Sequence, residues 1–255
     1  MATTEETATA AQHGGRLVAK ALRSRGVEHL FTLSGGHLFS IYDGCKEEGI
    51  EIVDVRHEQA AVWAAEGYAK ATRKPGVAAL TAGPGVTNGM SAIAGAFYNR
   101  SPITVLGGRA PEMRWGSGSL QEIDHVPFVE PLVKSAATVK DTAEIAARVA
   151  EAIDLSMSHP SGPTFLDFPL DTVFNAAEYR EPGSDPSTAD ASNPASVSGG
   201  SDPSVADRVE EAAKLLAEAE RPAIMAGTGL YWARGEDELR ALAEALGAPV
   251  FLNGM

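Results

Sequence analysis

Glu58 stands where an apolar strand pattern (Ile52, Val53, Val55) gives way to an alanine-rich helix pattern (Ala60, Ala61, Ala64, Ala65, Ala69). A glutamate at the inner end of a strand, shielded by its neighbours, is suited to holding and passing a proton. A carboxylate that merely begins a helix is also favoured there by the helix dipole. Further on comes a second strand-to-helix turn, Thr81-Ala82-Gly83-Pro84-Gly85-Val86-Thr87-Asn88. Its glycines permit positive φ and close backbone approach, and Pro84 stiffens it. Such a turn can seat a phosphate at the following helix N-terminus. No Lys-Ser or Lys-Thr follows, so it is not a P-loop, and Asn88 stands where the third glycine of a dinucleotide fingerprint belongs. A carboxylate at one strand end and a glycine turn at another can face a single crevice of a doubly wound sheet. Together they point to a cofactor site.

Positioning those two turns requires a particular scaffold, and residues 13–181 carry its pattern. Helix periodicity runs over 15–25, 38–48, 59–72, 86–98 and 141–157; strand patterns run over 29–33, 50–55, 77–81, 103–106 and 164–168. Alternation of this kind predicts an α/β fold, a doubly wound, mostly parallel sheet flanked by helices. Residues 1–12 read as a disordered tail. Residues 182–204, rich in Ser, Asp, Asn, Pro and Gly, read as a linker. After it, helix patterns at 205–219 and 236–246 and strand patterns at 222–225 and 249–252 read as the start of a second α/β domain, cut short.

Composition narrows the function classes. The net charge of −13 argues against a nucleic-acid partner, which would want a basic face. The single cysteine, Cys45, excludes an internal disulfide and a cysteine zinc cluster, and its setting suits a small apolar helix residue. The acidic start lacks the apolar core of a signal peptide, and no apolar run is long enough to span a bilayer. A cytoplasmic protein with no membrane partner is the expectation.

Several segments, in order, resemble the N-terminal, pyrimidine-binding domain of thiamine-diphosphate enzymes of the acetolactate synthase superfamily. They are Leu33-Ser34-Gly35-Gly36, Arg56-His57-Glu58-Gln59-Ala60-Ala61, Gly83-Pro84-Gly85-Val86-Thr87-Asn88, Leu120-Gln121-Glu122 and Gly162-Pro163 through Asp167-Phe168-Pro169. Residues 205–255 are similar to the start of that family's central domain. The resemblance implies thiamine diphosphate as cofactor, with Glu58 matching the glutamate that bonds the pyrimidine ring nitrogen and relays a proton to the cofactor. It places Gly35 and Gly36 near the reacting carbon, Pro84 and Asn88 by the pyrimidine, and Gln121 in the substrate region. Lys134 matches a family lysine near the access channel, and equally suits a solvated surface charge. The substrate class implied is a 2-oxo acid.

Three departures bear on this expectation. Ser34-Gly35-Gly36-His37 replaces the Pro-Gly-Gly-Ala usual in carboligases acting on pyruvate, which puts an imidazole, His37, among the substrate-binding candidates. The segment that meets FAD in true acetolactate synthases is here Glu112-Met113-Arg114-Trp115, where only Arg114 could serve, so FAD stays open. No Gly-Asp-Gly is present, so the resemblance assigns no metal site to this chain and puts the Mg²⁺ ligands in a C-terminal domain. In the family that half of the site comes from a partner subunit, implying a homo-oligomer, a dimer or tetramer. Acetolactate synthase-like carboligation is the main expectation. A 2-hydroxyacyl-CoA lyase or oxalyl-CoA decarboxylase type of lyase, acting on an acyl-CoA, is the alternative within the class. A non-catalytic short paralogue acting as a binding module is the alternative outside it.

Overall fold

The computed structural model of the chain describes residues 10–183 and 203–253. It divides into two compact units, and the division falls among residues 184–202, outside the described ones, as does most of the stretch read as a linker.

In chain order the first unit contains β1 (Gln12–His13), α1 (Gly14–Ser24), β2 (His29–Thr32), α2 (Phe39–Glu47), β3 (Glu51–Asp54), α3 (Glu58–Thr72), β4 (Gly76–Leu80) and α4 (Pro84–Tyr98). Then follow β5 (Ile103–Arg109), the short α5 (Val126–Val129), β6 (Ala136–Thr138), α6 (Ile145–Met157), β7 (Thr164–Pro169), α7 (Leu170–Phe174) and β8 (Ala176–Ala177). Six strands form one parallel sheet in the order β3-β2-β4-β5-β7-β6. The expected doubly wound α/β architecture is therefore the one observed.

Burial follows strand position. β4, β5 and β7 are buried along their whole length, as strands covered on both faces must be, whereas the edge strand β3 is mostly exposed. Leu17, Leu22, Ile41, Cys45, Ile145 and Val149 of α1, α2 and α6 pack with Leu30, Leu106 and Leu166 of the sheet. On α3 and α4, Ala61, Val62, Ala65, Ala92 and Ile93 are buried, and a Cβ added at Gly89 of α4 would meet Leu80 of β4 and Val62 of α3. Small side chains let these helices lie close to the sheet. Burial pushes the thiol of Cys45 up to about 12, in keeping with a packing role for that residue.

The sequence pattern understates three elements. β5 continues through Gly107-Gly108 to Arg109, because both glycines remain in the ladder with β7. β6, Ala136-Ala137-Thr138, has no apolar alternation and gains its place by pairing with β7. Gln12, assigned above to the tail, pairs with Ala177 in an antiparallel β1–β8 ribbon.

The second unit contains α8 (Pro203–Glu218), β9 (Ile224–Ala226), α9 (Thr228–Ala233), α10 (Glu236–Leu246) and β10 (Val250–Leu252), with β9 and β10 parallel. Gly227 follows β9 as the N-cap of α9, whose first residues are Thr228 and Gly229. Among the described residues no helix is long and apolar enough to cross a membrane.

Candidate active site at the carboxyl edge of the sheet

After β2 the chain moves outward to β3, then returns across β2 to β4, so the strand order reverses between β2 and β4. Crevices at such a reversal, beyond the carboxyl ends of the strands, are where open α/β sheets bind ligands. Here the loop after β2 and the turn after β4 touch. A Cβ at Gly35 would lie 2.3 Å from the side chain of Thr81, so only glycine allows the contact. A Cβ at Gly36 would meet nothing within 4 Å, which leaves that position facing open space.

Glu58 is brought to the same place. Its helix is capped by His57, whose Nδ1 accepts from the Gln59 N–H at 3.1 Å. Glu58 is only 8% exposed. Its Oε2 accepts from Asn88 Nδ2 at 3.1 Å, joining the first turn of α3 to α4. Its Oε1 has no hydrogen-bond partner among the described residues and lies 3.7 Å from where a Cβ on Gly85 would stand. The second buried carboxylate of α3, Glu66, is different: it accepts from Asn99 Nδ2, Ser101 Oγ and Lys70 Nζ. Glu66 has partners suited to structure, and Glu58 keeps an acceptor for something else.

The Gly83 turn has φ +59°, ψ −116°, a conformation for glycine. Pro84 is the first residue of α4, where its missing N–H costs nothing. Over this turn lies Gln121, itself at φ +60°; a Cβ on Gly83 would stand 2.9 Å from the Gln121 Cβ and carbonyl oxygen. His37 is buried on the other side of the turn, with Nδ1 3.3 Å from Thr81 Oγ1 and its Cβ above Gly108. Glu58, Gly35, Gly36, His37, Pro84, Asn88 and Gln121 thus share one edge.

Lys134 does not join them. It precedes β6, at the amino edge of the sheet, and its Nζ donates to the carbonyls of Leu155 and Ser158 and to Ser158 Oγ, closing the C-terminus of α6. Desolvation there, with some repulsion from Arg100, lowers its pKa. The segment considered for FAD forms a 3-10 turn, Glu112–Arg114, tied to α7 by the carboxylate of Asp171, which accepts from the N–H groups of Glu112 and Met113.

Sequence reasoning overlooked a buried polar group beneath the turn. His125 Nε2 accepts from the Gly83 N–H at 2.9 Å, and its Nδ1 lies 2.8 Å from Asp167 Oδ2. Arg109 Nη1 donates to Asp167 at 3.2 Å and to Asp124 at 3.0 Å. The available signal was Asp167 itself, a carboxylate within an apolar strand.

Burial lowers the pKa of His37. The sign is then fixed: the unfolded chain, whose histidine titrates near 6.5, binds a proton that the folded chain resists. Stability falls as pH drops through that value and levels off below the folded pKa. We expect His37→Asn to shrink the loss of thermal midpoint between pH 7 and pH 5; an unchanged loss would mean that His37 does not resist protonation.

Two family models match the chain in sequence: "Thiamine pyrophosphate enzyme, N-terminal TPP binding domain" over residues 12–128, and "Thiamine pyrophosphate enzyme, central domain" over residues 209–255. The chain belongs to the thiamine pyrophosphate enzymes. Relatives within this family include the acetolactate synthase large subunit IlvG of Mycobacterium tuberculosis, 52% identical over 244 residues, covering 95% of this chain and 43% of the relative. The 2-hydroxyacyl-CoA lyase 2 of Danio rerio is 34% identical over 273 residues (96% and 43%), and the acetolactate synthase large subunit of Buchnera aphidicola 34% over 238 (93% and 41%). The chain thus spans less than half the length of these thiamine pyrophosphate enzymes. The carboxyl edge suits a nitrogen-bearing cofactor ring: it holds a shielded carboxylate with one oxygen lacking a partner among the described residues, glycines that let the Gly35 and Gly85 backbones close on Thr81, and open space at Gly36. Among the described residues no cluster of three or more His, Cys, Asp or Glu side chains is placed to hold a metal ion.

Proposed function

We propose that this chain provides the pyrimidine-binding half of a thiamine-diphosphate-dependent enzyme that decarboxylates and joins 2-oxo acids, as an acetolactate synthase does. The observation that carries the reading is Glu58: a nearly buried carboxyl, oriented by Asn88, with one oxygen open beside Gly85. When bound, thiamine diphosphate would supply a nucleophilic thiazolium carbon for the substrate carbonyl and a cationic ring to take up the electron pair left when carbon dioxide departs.

The chain's residues do the rest. Glu58 holds a proton at the pyrimidine ring nitrogen and returns it. Asn88 keeps the carboxyl pointed, and Pro84 and Gly85 present a close backbone surface to the ring. Gly35 lets the loop after β2 close on Thr81, Gly36 leaves open the space where the carbonyl substrate approaches, and Gln121 offers it a polar amide. The diphosphate and Mg²⁺ require ligands beyond these residues, which we assign to a C-terminal domain of a partner subunit in a homodimer or larger homo-oligomer. No role is proposed for Lys134, which caps α6.

His37 favours a second reading. Its imidazole is buried beside Thr81 at the same edge, and in this reading it reshapes the substrate space next to Gly36. The 34% identity to 2-hydroxyacyl-CoA lyase 2 accords with a lyase acting on acyl-CoA. Assays of the complete enzyme with thiamine diphosphate and Mg²⁺ separate the two. Acetolactate from pyruvate supports the first reading; cleavage of a 2-hydroxyacyl-CoA with no acetolactate supports the second. No thiamine-dependent turnover of either substrate would remove both.

A further inference from the structure

The Gly83 turn is unusual in how it is held. Its N–H points inward, and the group that accepts it is a side chain rather than backbone: His125 Nε2, at 2.9 Å. A backbone N–H can only donate, so Nε2 must be unprotonated. The imidazole proton is then on Nδ1, where it is donated to Asp167 Oδ2 at 2.8 Å. Asp167 is fixed in turn by Arg109, whose guanidinium also bonds Asp124 and lies 3.9 Å from the centre of the Trp115 ring. The side chains of His125 and Asp167 are fully buried.

The chain of bonds has a direction. Arg109 and Asp167 sit on β5 and β7, adjacent central strands paired over six residues from Thr104–Thr164 to Arg109–Pro169. His125 sits in the loop that also carries Gln121. The loop therefore meets the turn twice, through the Gln121 backbone against Gly83 and through His125 on the Gly83 N–H. Gln121 holds positive φ, which in a non-glycine residue persists only where the surroundings over-determine it. Stability alone is a poor account of the cluster. Arg109 Nε and Asp167 Oδ1 are buried with no hydrogen-bond partner among the described residues, and apolar residues would fill the volume without that cost.

Building on the cofactor reading above, we propose that His125 is a positioning residue for the cofactor: locked in one tautomer by Asp167 and Arg109, it sets the Gly83 turn at the height at which Pro84 and Gly85 meet the pyrimidine. It touches neither cofactor nor substrate and acts through the backbone of Gly83.

Two substitutions of similar polarity separate this role from a general one. His125→Gln can place an amide oxygen where Nε2 stood and so keep an acceptor for Gly83. His125→Asn can keep a donor for Asp167, but its shorter side chain does not reach Gly83. In the 255-residue chain, hydrogen exchange over residues 81–88 should quicken in His125→Asn and stay near wild type in His125→Gln, with β5 and β7 protected in both. In the complete enzyme, His125→Asn should raise the thiamine diphosphate concentration for half-maximal activity about tenfold, equivalent to about 1.4 kcal/mol. At saturating cofactor its kcat should fall much less, and His125→Gln should recover most of the lost affinity. Equal behaviour of the two variants, whether folded or unfolded, overturns the proposal, as does quickened exchange throughout the sheet. The exchange measurement needs no cofactor, so it stands even if the thiamine assay fails and the cofactor reading falls.

Discussion

Replacing Glu58 by Gln is expected to lower turnover of the complete enzyme by about 10² or more while leaving the fold intact. Glutamine has the same shape, and its carbonyl oxygen can still accept from Asn88 Nδ2, now 3.1 Å from the carboxylate. The buried position loses a proton carrier but gains no cavity. What disappears is the ability to give a proton to a ring nitrogen and take it back, and no neighbour replaces it. His57 is not a substitute, because its Nδ1 is occupied as the cap of α3. Glu66→Gln is the internal comparison. That residue lies two turns along the same helix, bonded to Asn99, Ser101 and Lys70. Its replacement should lower stability and leave kcat near wild type. The measurement is kcat at saturating thiamine diphosphate and Mg²⁺ for both variants. Turnover by Glu58→Gln within about threefold of wild type would sink the proton-relay role.

The contrast between these two glutamates bears on how much of the site could be read from the sequence. Glu58 was legible because its local context, a strand ending and a small-residue helix beginning, fixes its place at the carboxyl edge without knowledge of any contact. The same holds for Gly35, Gly36 and the Gly83-Pro84-Gly85 turn, since backbone conformation and chain order place them. The sheet itself was legible wherever apolar periodicity was strong, and it failed at β6, whose residues pair only because β7 offers an edge. Lys134 shows a different limit. Its residue type suits a substrate channel, but which end of the sheet it occupies depends on β6, the strand that the pattern did not reveal. His125 was illegible for a related reason. Its partners Gly83 and Asp167 are each 42 residues away, and nothing local distinguishes it from a surface histidine.

Asp167→Ala should be among the most damaging single changes to stability. The carboxylate is fully buried and serves as acceptor for both Arg109 Nη1 and His125. Removing it leaves a guanidinium in the interior with only the half-exposed Asp124 as counter-charge, and leaves the His125 N–H without an acceptor. Breaking a buried pair by deleting one partner costs about 3–5 kcal/mol, far more than the intact pair contributes, because the remaining charge keeps its desolvation penalty. For a chain of this size that corresponds to a fall in thermal midpoint on the order of 10 °C. A surface pair gives the scale. Arg25 forms two 2.9 Å bonds to Asp154, a better geometry than that of Arg109 with Asp167, yet Asp154 is 58% exposed. Asp154→Ala should therefore cost about 1 kcal/mol or less. Asp167→Asn, which keeps the shape and one acceptor oxygen, should fall between the two. Thermal unfolding of the three variants gives the order directly. If Asp154→Ala matched Asp167→Ala, bond geometry rather than burial would be setting the cost, and the Arg109–Asp167–His125 group would lose its claim to be the rigid base on which the Gly83 turn is set.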